Sequence, residues 1–127
     1  LNQPQAGRNY GWPVVSYGIN YRGSDVGQGL ASAPEFEEPV YYWDPVIAPG
    51  GMMFYDGPYS DWQGDLLIAS LNPGALVRLK MQNGRVVGEE RLLTDVGRVR
   101  DVEVLDDGTV LVLTDSGRGQ VLRVTPG

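Results

Sequence analysis

The chain has 127 residues, a formal net charge of −6, no cysteine and no histidine. The acidity argues against a nucleic-acid surface, and the composition excludes disulfides and thiol chemistry. Without histidine the commonest general base and transition-metal ligand are missing, so catalysis would fall to carboxylates, Lys80, tyrosines or a bound cofactor, or to a base outside this chain. Eighteen glycines and nine prolines point to short elements and many turns. No apolar run approaches the roughly 20 residues of a membrane span, and no basic-then-apolar signal segment is present. The opening LNQPQAG lacks an initiator Met and reads as the interior of a longer sequence.

Residues 1–49 hold most of the prolines and tyrosines and few periodic apolar positions. They read as a loop-rich excursion with short extended pieces at Trp12–Tyr17 and Val40–Trp43, and a loop region this long is commonly functional. From residue 50 onward the pattern is regular. Gly51–Tyr55, Asp65–Leu71, Gly74–Met81 and Arg85–Leu93 are strand candidates, separated by DGPYSDWQG, NP and QNG. Val99–Leu105, Thr109–Thr114 and Gly119–Thr125 follow, divided by DDG and DSGR. No segment sustains a period of 3.6.

An internal repeat aligns the segment from Gly64 with the segment from Gly108, 44 residues apart. That period, with four antiparallel strands per unit, marks a β-propeller blade. The expected organisation is all-β: a loop-rich excursion at 1–49, a four-stranded blade at 50–97, and a last blade at 98–127 that lacks its outer strand. Two blades cannot close a ring, so the chain is expected to be part of a larger propeller, completed by a missing N-terminal part or by self-association. The alternative is a small two-sheet sandwich of seven strands.

Within GRVRDVEV, strict alternation puts Arg98, Arg100, Val102 and Val104 on one face and Val99, Asp101 and Glu103 on the other. Two cations would then point toward the core, where they need anionic partners. The candidates are a bound anion, Asp101, Asp106 or Asp107, or the side chains bend out to solvent.

Three motifs carry a family resemblance. They are Asn9-Tyr-Gly-Trp-Pro13 with Tyr17-Gly-Ile-Asn-Tyr21; Tyr41-Tyr-Trp43 with Ala48-Pro49 and Gly51-Met-Met-Phe-Tyr55, running on to Leu66-Leu-Ile-Ala-Ser-Leu71; and Arg98-Val-Arg-Asp-Val102 with Asp107-Gly108 and Val112-Leu-Thr-Asp115. In this order and spacing the chain resembles the glucose/sorbosone dehydrogenase family, soluble aldose dehydrogenases that use pyrroloquinoline quinone (PQQ). The resemblance implies a six-bladed propeller, of which this chain is the C-terminal part. It also implies PQQ and calcium as cofactors, an aldose oxidised at its C1 hydroxyl to the lactone, and a periplasmic or secreted location.

By the same resemblance Arg98 and Arg100 contact the carboxylates of PQQ, with Tyr21, Trp43, Val46, Ala48 and Asn72 as further cofactor contacts. Asn72 stands where many relatives carry a cofactor-binding lysine, and the Asn72-Pro73-Gly74 run also reads simply as a turn. Tyr21 and Trp43 read equally as packing aromatics. Tyr10 matches a tyrosine at a structural calcium site whose partner carboxylate would precede Leu1, so an intact site is not expected here. The acidic run at 35–38 reads as a solvated surface. The family's catalytic histidine and the carbonyls of the catalytic calcium lie upstream, so this chain would supply part of the cofactor pocket without the base. A non-catalytic binding propeller is the main rival, and a metal-dependent propeller hydrolase a weaker one.

Overall fold

The computed structural model describes residues 1–125. It divides into two compact units, residues 1–46 and the remainder from residue 47.

The second unit is built from seven strands. β1 (Pro49–Phe54), β2 (Leu66–Ser70), β3 (Ala75–Gln82) and β4 (Arg85–Leu92) form one antiparallel sheet in the order β1-β2-β3-β4. β5 (Val99–Val104), β6 (Val110–Thr114) and β7 (Val121–Val124) form another in the order β5-β6-β7. Every neighbour in a sheet is also the neighbour in sequence, so both sheets are simple meanders. All seven expected strands are present, with ends that agree to within two residues. The repeat is structural: β2 and β6 start and end 44 residues apart. Pro126 and Gly127, which the expected last blade included, lie outside the described residues.

Local chemistry explains the elements. β6 alternates buried and accessible residues, as a strand covered on one face must. β2 is buried along its whole length and is apolar except for Ser70, the pattern of a strand covered on both faces. Asn83 and Gly84 both have positive φ, +52° and +73°, which the two-residue hairpin between β3 and β4 requires. β4 is a sheet edge, and its Glu89, Glu90 and Arg91 keep that edge charged.

The core lies between the facing surfaces of the two sheets. Leu67, Ala69 and Leu76 of the first meet Val99, Val102, Val104, Val110 and Val112 of the second, with Tyr55 and Trp62 closing one end. Each buried Val or Leu contributes about 1.5–3 kcal/mol. Tyr55 packs edge-to-face on Trp62 at 5.7 Å, and its hydroxyl donates to the Gly108 carbonyl at 3.3 Å, tying the β1–β2 connection to the β5–β6 turn. Asp65 is buried, but it accepts from Arg78 Nη1 at 2.8 Å and from the Met81 N–H at 3.0 Å. That pairing is what makes a buried carboxylate tolerable. The outward face of the second sheet leaves Leu113 and Val121 exposed, and β1 leaves Met52 and Phe54 exposed.

Residues 1–46 contain no strand ladder. The expected extended pieces at Trp12–Tyr17 and Val40–Trp43 are not strands; the regular pairing here is two isolated bridges, Val15 with Leu30 and Ile19 with Asp25. Neither piece finds a partner strand: the Val15 N–H closes a turn onto the Gly11 carbonyl at 3.0 Å, and the Val40 N–H donates to the Leu1 carbonyl at 2.8 Å. Tyr17 and Tyr42 stack face to face at 3.7 Å.

Candidate functional site

Arg98 lies just before β5, and its carbonyl accepts from the Asp115 N–H at 2.8 Å, which joins the start of β5 to the end of β6. The register then breaks. Val99 faces Thr114 and Asp101 faces Leu113, so Arg100 has no opposite number. This is a β-bulge, one extra residue on one strand, and it overturns the expected inward pair of cations. The bulge brings Val99 into line with Val102 and Val104 on the buried face and turns both arginines outward. Their side chains are 53% and 52% exposed.

The anion they meet within the protein is none of the expected aspartates. Asp101 Oδ1 accepts from the Val102 N–H and Asp107 Oδ1 from the Thr109 N–H, each at 2.9 Å. Both arginines reach Asp115 instead. Its Oδ2 accepts from Arg98 Nε at 3.1 Å, Arg98 Nη2 at 3.0 Å and Arg100 Nη2 at 3.0 Å. The Arg98 hydrogen bonds first, and the Arg100 charge with them, hold the Asp115 carboxyl below the usual carboxylate range, against the opposing effect of desolvation. Sequence reasoning placed Asp115 in a motif but gave it no partner. The usable signal was the conflict itself: two arginines in phase with core valines announce a bulge.

Other elements converge on this end of the unit. Gly50 and Gly51 of β1 lie against the bulge, where a Cβ on Gly50 would strike the Arg100 carbonyl and one on Gly51 the Asp101 carboxylate. A Cβ on Gly74 would strike the Gly97 carbonyl, so the Asn72–Gly74 turn sits against the residues leading into Arg98. The Leu71 N–H donates to the Ala48 carbonyl at 3.0 Å and the Asn72 N–H to the Ile47 carbonyl at 3.3 Å. Ala48 has φ +47°, a left-handed conformation costly for alanine. The structure therefore brings Ala48, Asn72, Arg98 and Arg100 to one end of the second unit.

The other candidates belong to the first unit. Tyr21 is fully exposed and Val46 is exposed. Trp43 is half-buried and packs edge-to-face with Tyr41 at 5.1 Å. The Tyr10 hydroxyl donates to the Gln3 carbonyl at 2.8 Å and accepts from the Gln5 N–H at 3.1 Å. Among the described residues no group of three or more His, Cys, Asp or Glu side chains is placed to hold a metal ion. In the acidic run, Glu37 pairs with Arg8 at 3.0 Å on the surface.

The arginine cluster can bind an anion. Asp115 occupies one Arg100 nitrogen and two Arg98 nitrogens, leaving both Nη1 groups and Arg100 Nε without a protein partner among the described residues. Two guanidiniums against one carboxylate leave a net positive charge at a half-exposed site. Guanidinium donors match carboxylate geometry. These residues fit a ligand carrying several carboxylates.

Comparison with known proteins places the chain in a family. The family model described as Glucose / Sorbosone dehydrogenase matches residues 1–123. Aldose sugar dehydrogenase YliI of Escherichia coli (strain K12) is 38% identical over 129 residues, covering 99% of this chain and 35% of that protein. A crystal structure of a glucose dehydrogenase superposes at a TM-score of 0.92 with 41% identity, over 99% of this chain and 37% of that one. The PQQ-bound aldose sugar dehydrogenase of Streptomyces coelicolor, 21% identical, shares the fold at a TM-score of 0.70, over 96% of this chain and 34% of its own. The chain thus spans about a third of the length of these relatives. The two meanders are accordingly blades of a partial β-propeller and not the halves of a sandwich. No helix among the described residues is long and apolar enough to cross a membrane. From its motifs, its fold and the match across nearly its whole length, the chain belongs to the glucose/sorbosone dehydrogenase family.

Proposed function

We propose that this chain is the C-terminal portion of a PQQ-dependent aldose dehydrogenase that oxidises the C1 hydroxyl of a sugar to the lactone. The observation that carries this reading is the Arg98–Arg100 pair, held on one carboxylate oxygen with donors to spare. Bound PQQ would supply the two-electron acceptor. Arg98 and Arg100 would hold its carboxylates and lower the cost of negative charge at the site. Tyr21 and Trp43 would offer flat aromatic neighbours. Val46 and Ala48 would line the pocket, and Asn72 would donate a neutral hydrogen bond where many relatives place a lysine.

No histidine is present to take the hydroxyl proton, so that base belongs to a part of the enzyme outside this chain. The carbonyls of the catalytic calcium would likewise lie outside this chain, with Tyr10 as the one residue here matched to a structural calcium site. A periplasmic or secreted location is part of the same proposal. The exposed Leu113 and Val121, and the exposed Met52 and Phe54, would be covered by neighbouring blades of the full ring. A compact, soluble 127-residue monomer in light scattering would count against that covering.

The test is a PQQ titration of the complete polypeptide, read by absorbance and fluorescence, alongside aldose-dependent dye reduction. Replacing both arginines by alanine removes charge-assisted hydrogen bonds and is expected to weaken PQQ binding by about a hundredfold or more. Unchanged binding would remove the pair from the pocket. Asn72 favours a second reading, a binding propeller that has lost the chemistry; tight PQQ binding without aldose-dependent dye reduction would select it.

A further inference from the structure

We propose that Asp115 is a positioning residue that holds Arg98 and Arg100 as one preformed two-pronged anion receptor; this rests on the reading of the pair as a carboxylate site. Asp115 stands at the end of β6, and its backbone N–H is bonded to the Arg98 carbonyl, so its side chain is delivered to the pair by the sheet itself. The bulge puts Arg100 on the same side as Arg98. Two guanidiniums so close repel each other unless an anion lies between them. Asp115 Oδ2 is that anion, with three donors at 3.0–3.1 Å.

Asp115 does not block the receptor. It takes one edge of Arg98 and a single nitrogen of Arg100, so their remaining N–H groups stay available to a ligand. A long side chain that is already ordered loses less entropy on binding. Two opposing consequences follow for a polyanionic ligand. As a charge alone, Asp115 repels it. As a positioning group, Asp115 pre-orders both arginines for it. The direct hydrogen bonds are strong and short-ranged, while a single charge at a half-exposed site is screened. Positioning therefore outweighs repulsion.

The two roles predict opposite signs for Asp115→Asn. If Asp115 acts only as a charge, the substitution raises the local charge by one and tightens PQQ binding. If it positions the pair, the substitution weakens PQQ binding by about tenfold despite the added positive charge, and Asp115→Glu recovers part of the loss. The measurement is a PQQ titration of the complete polypeptide across a range of salt concentrations, with thermal unfolding confirming that each variant is folded. Equal or tighter binding by folded Asp115→Asn overturns the proposal. Arg98 Nε–H exchange by NMR in the unsubstituted protein, before any ligand is added, provides a test that needs no variant: protected exchange supports the preformed receptor, and exchange as fast as in a free arginine overturns it. If the double arginine variant binds PQQ normally, the cofactor-site reading fails. If that variant is impaired while Asp115→Asn is not, the role of Asp115 alone fails.

Discussion

Among the described residues, those from 1 to 46 bury two large apolar side chains, Val15 and Val26, whereas the unit from Ile47 onward buries sixteen hydrophobic residues between and around two sheets. The first unit is held by turn hydrogen bonds, a tyrosine stack and a surface ion pair. The second has ladders along every strand and a continuous core. The two therefore differ in what a substitution can reach. In the second unit a lost contact is felt through the shared core. In the first, a contact links one turn to another, and losing it opens a local segment. The candidate site residues divide along the same line, with the charged pair on the rigid unit and Tyr10, Tyr21, Trp43 and Val46 on the loop-built one.

The largest test of this contrast is Leu76→Ala. Leu76 is fully buried in the inter-sheet core, and its truncation is expected to cost about 2–5 kcal/mol of global stability, read as a lower urea midpoint. A loss confined to the first unit would break the comparison. Next is Gly50→Ala, which drives a methyl group into the Arg100 carbonyl. Backbone cannot step aside cheaply, so a cost of about 1–3 kcal/mol is expected, together with a changed environment for the Arg98 and Arg100 side-chain N–H groups in NMR spectra. Unchanged spectra would show that the close approach of β1 does not shape the bulge.

Tyr42→Ala removes one half of the stack with Tyr17, a contact worth about 0.5–1.5 kcal/mol beyond the area it buries. Faster hydrogen exchange is expected at the Ser16 and Val15 amides, with β2 and β6 unaffected; a matching change in β6 would mean that the units are not independent in stability. The smallest effect concerns pH. Asp115 has its carboxyl lowered by Arg98 first, so the stability it contributes is present above the ordinary carboxylate value, about 4. That contribution is lost as the pH falls through the lower folded-state value. The urea midpoints of the parent and Asp115→Asn should therefore converge as the pH is lowered from about 5 to about 2. A gap that stays constant over that range would separate Asp115 from the pair.

Much of the second unit was legible because its information is local. The Asn83-Gly84 turn, the alternating runs and the 44-residue repeat each express a constraint within a few neighbouring residues or a copied unit. The site was legible only in part. Arg98 and Arg100 stood out as cations out of place, but their direction was misread, because strict alternation has no term for an inserted residue. Asp115 was missed because its partners are 15 and 17 residues away and meet it only through the β5–β6 register. The extended pieces expected in the first unit failed for a related reason. Apolar residues at Val14, Val15, Val40 and Tyr41 suggest strands, yet none gains a partner strand: the Val15 N–H closes a turn onto the Gly11 carbonyl, and the Val40 and Tyr41 N–H groups go to the Leu1 carbonyl.

By itself, then, the sequence determined the strand set, the hairpin turns, the repeat, the family and the absence of a histidine base within this chain. These depend on side-chain period, turn conformation and residue identity, all written along the chain. The tertiary structure decided which way the arginines face, which aspartate joins them, and that Gly50 and Gly51 give way to the bulge. Those outcomes depend on register and close packing between strands, where one extra residue at position 100 reverses the face of what precedes it.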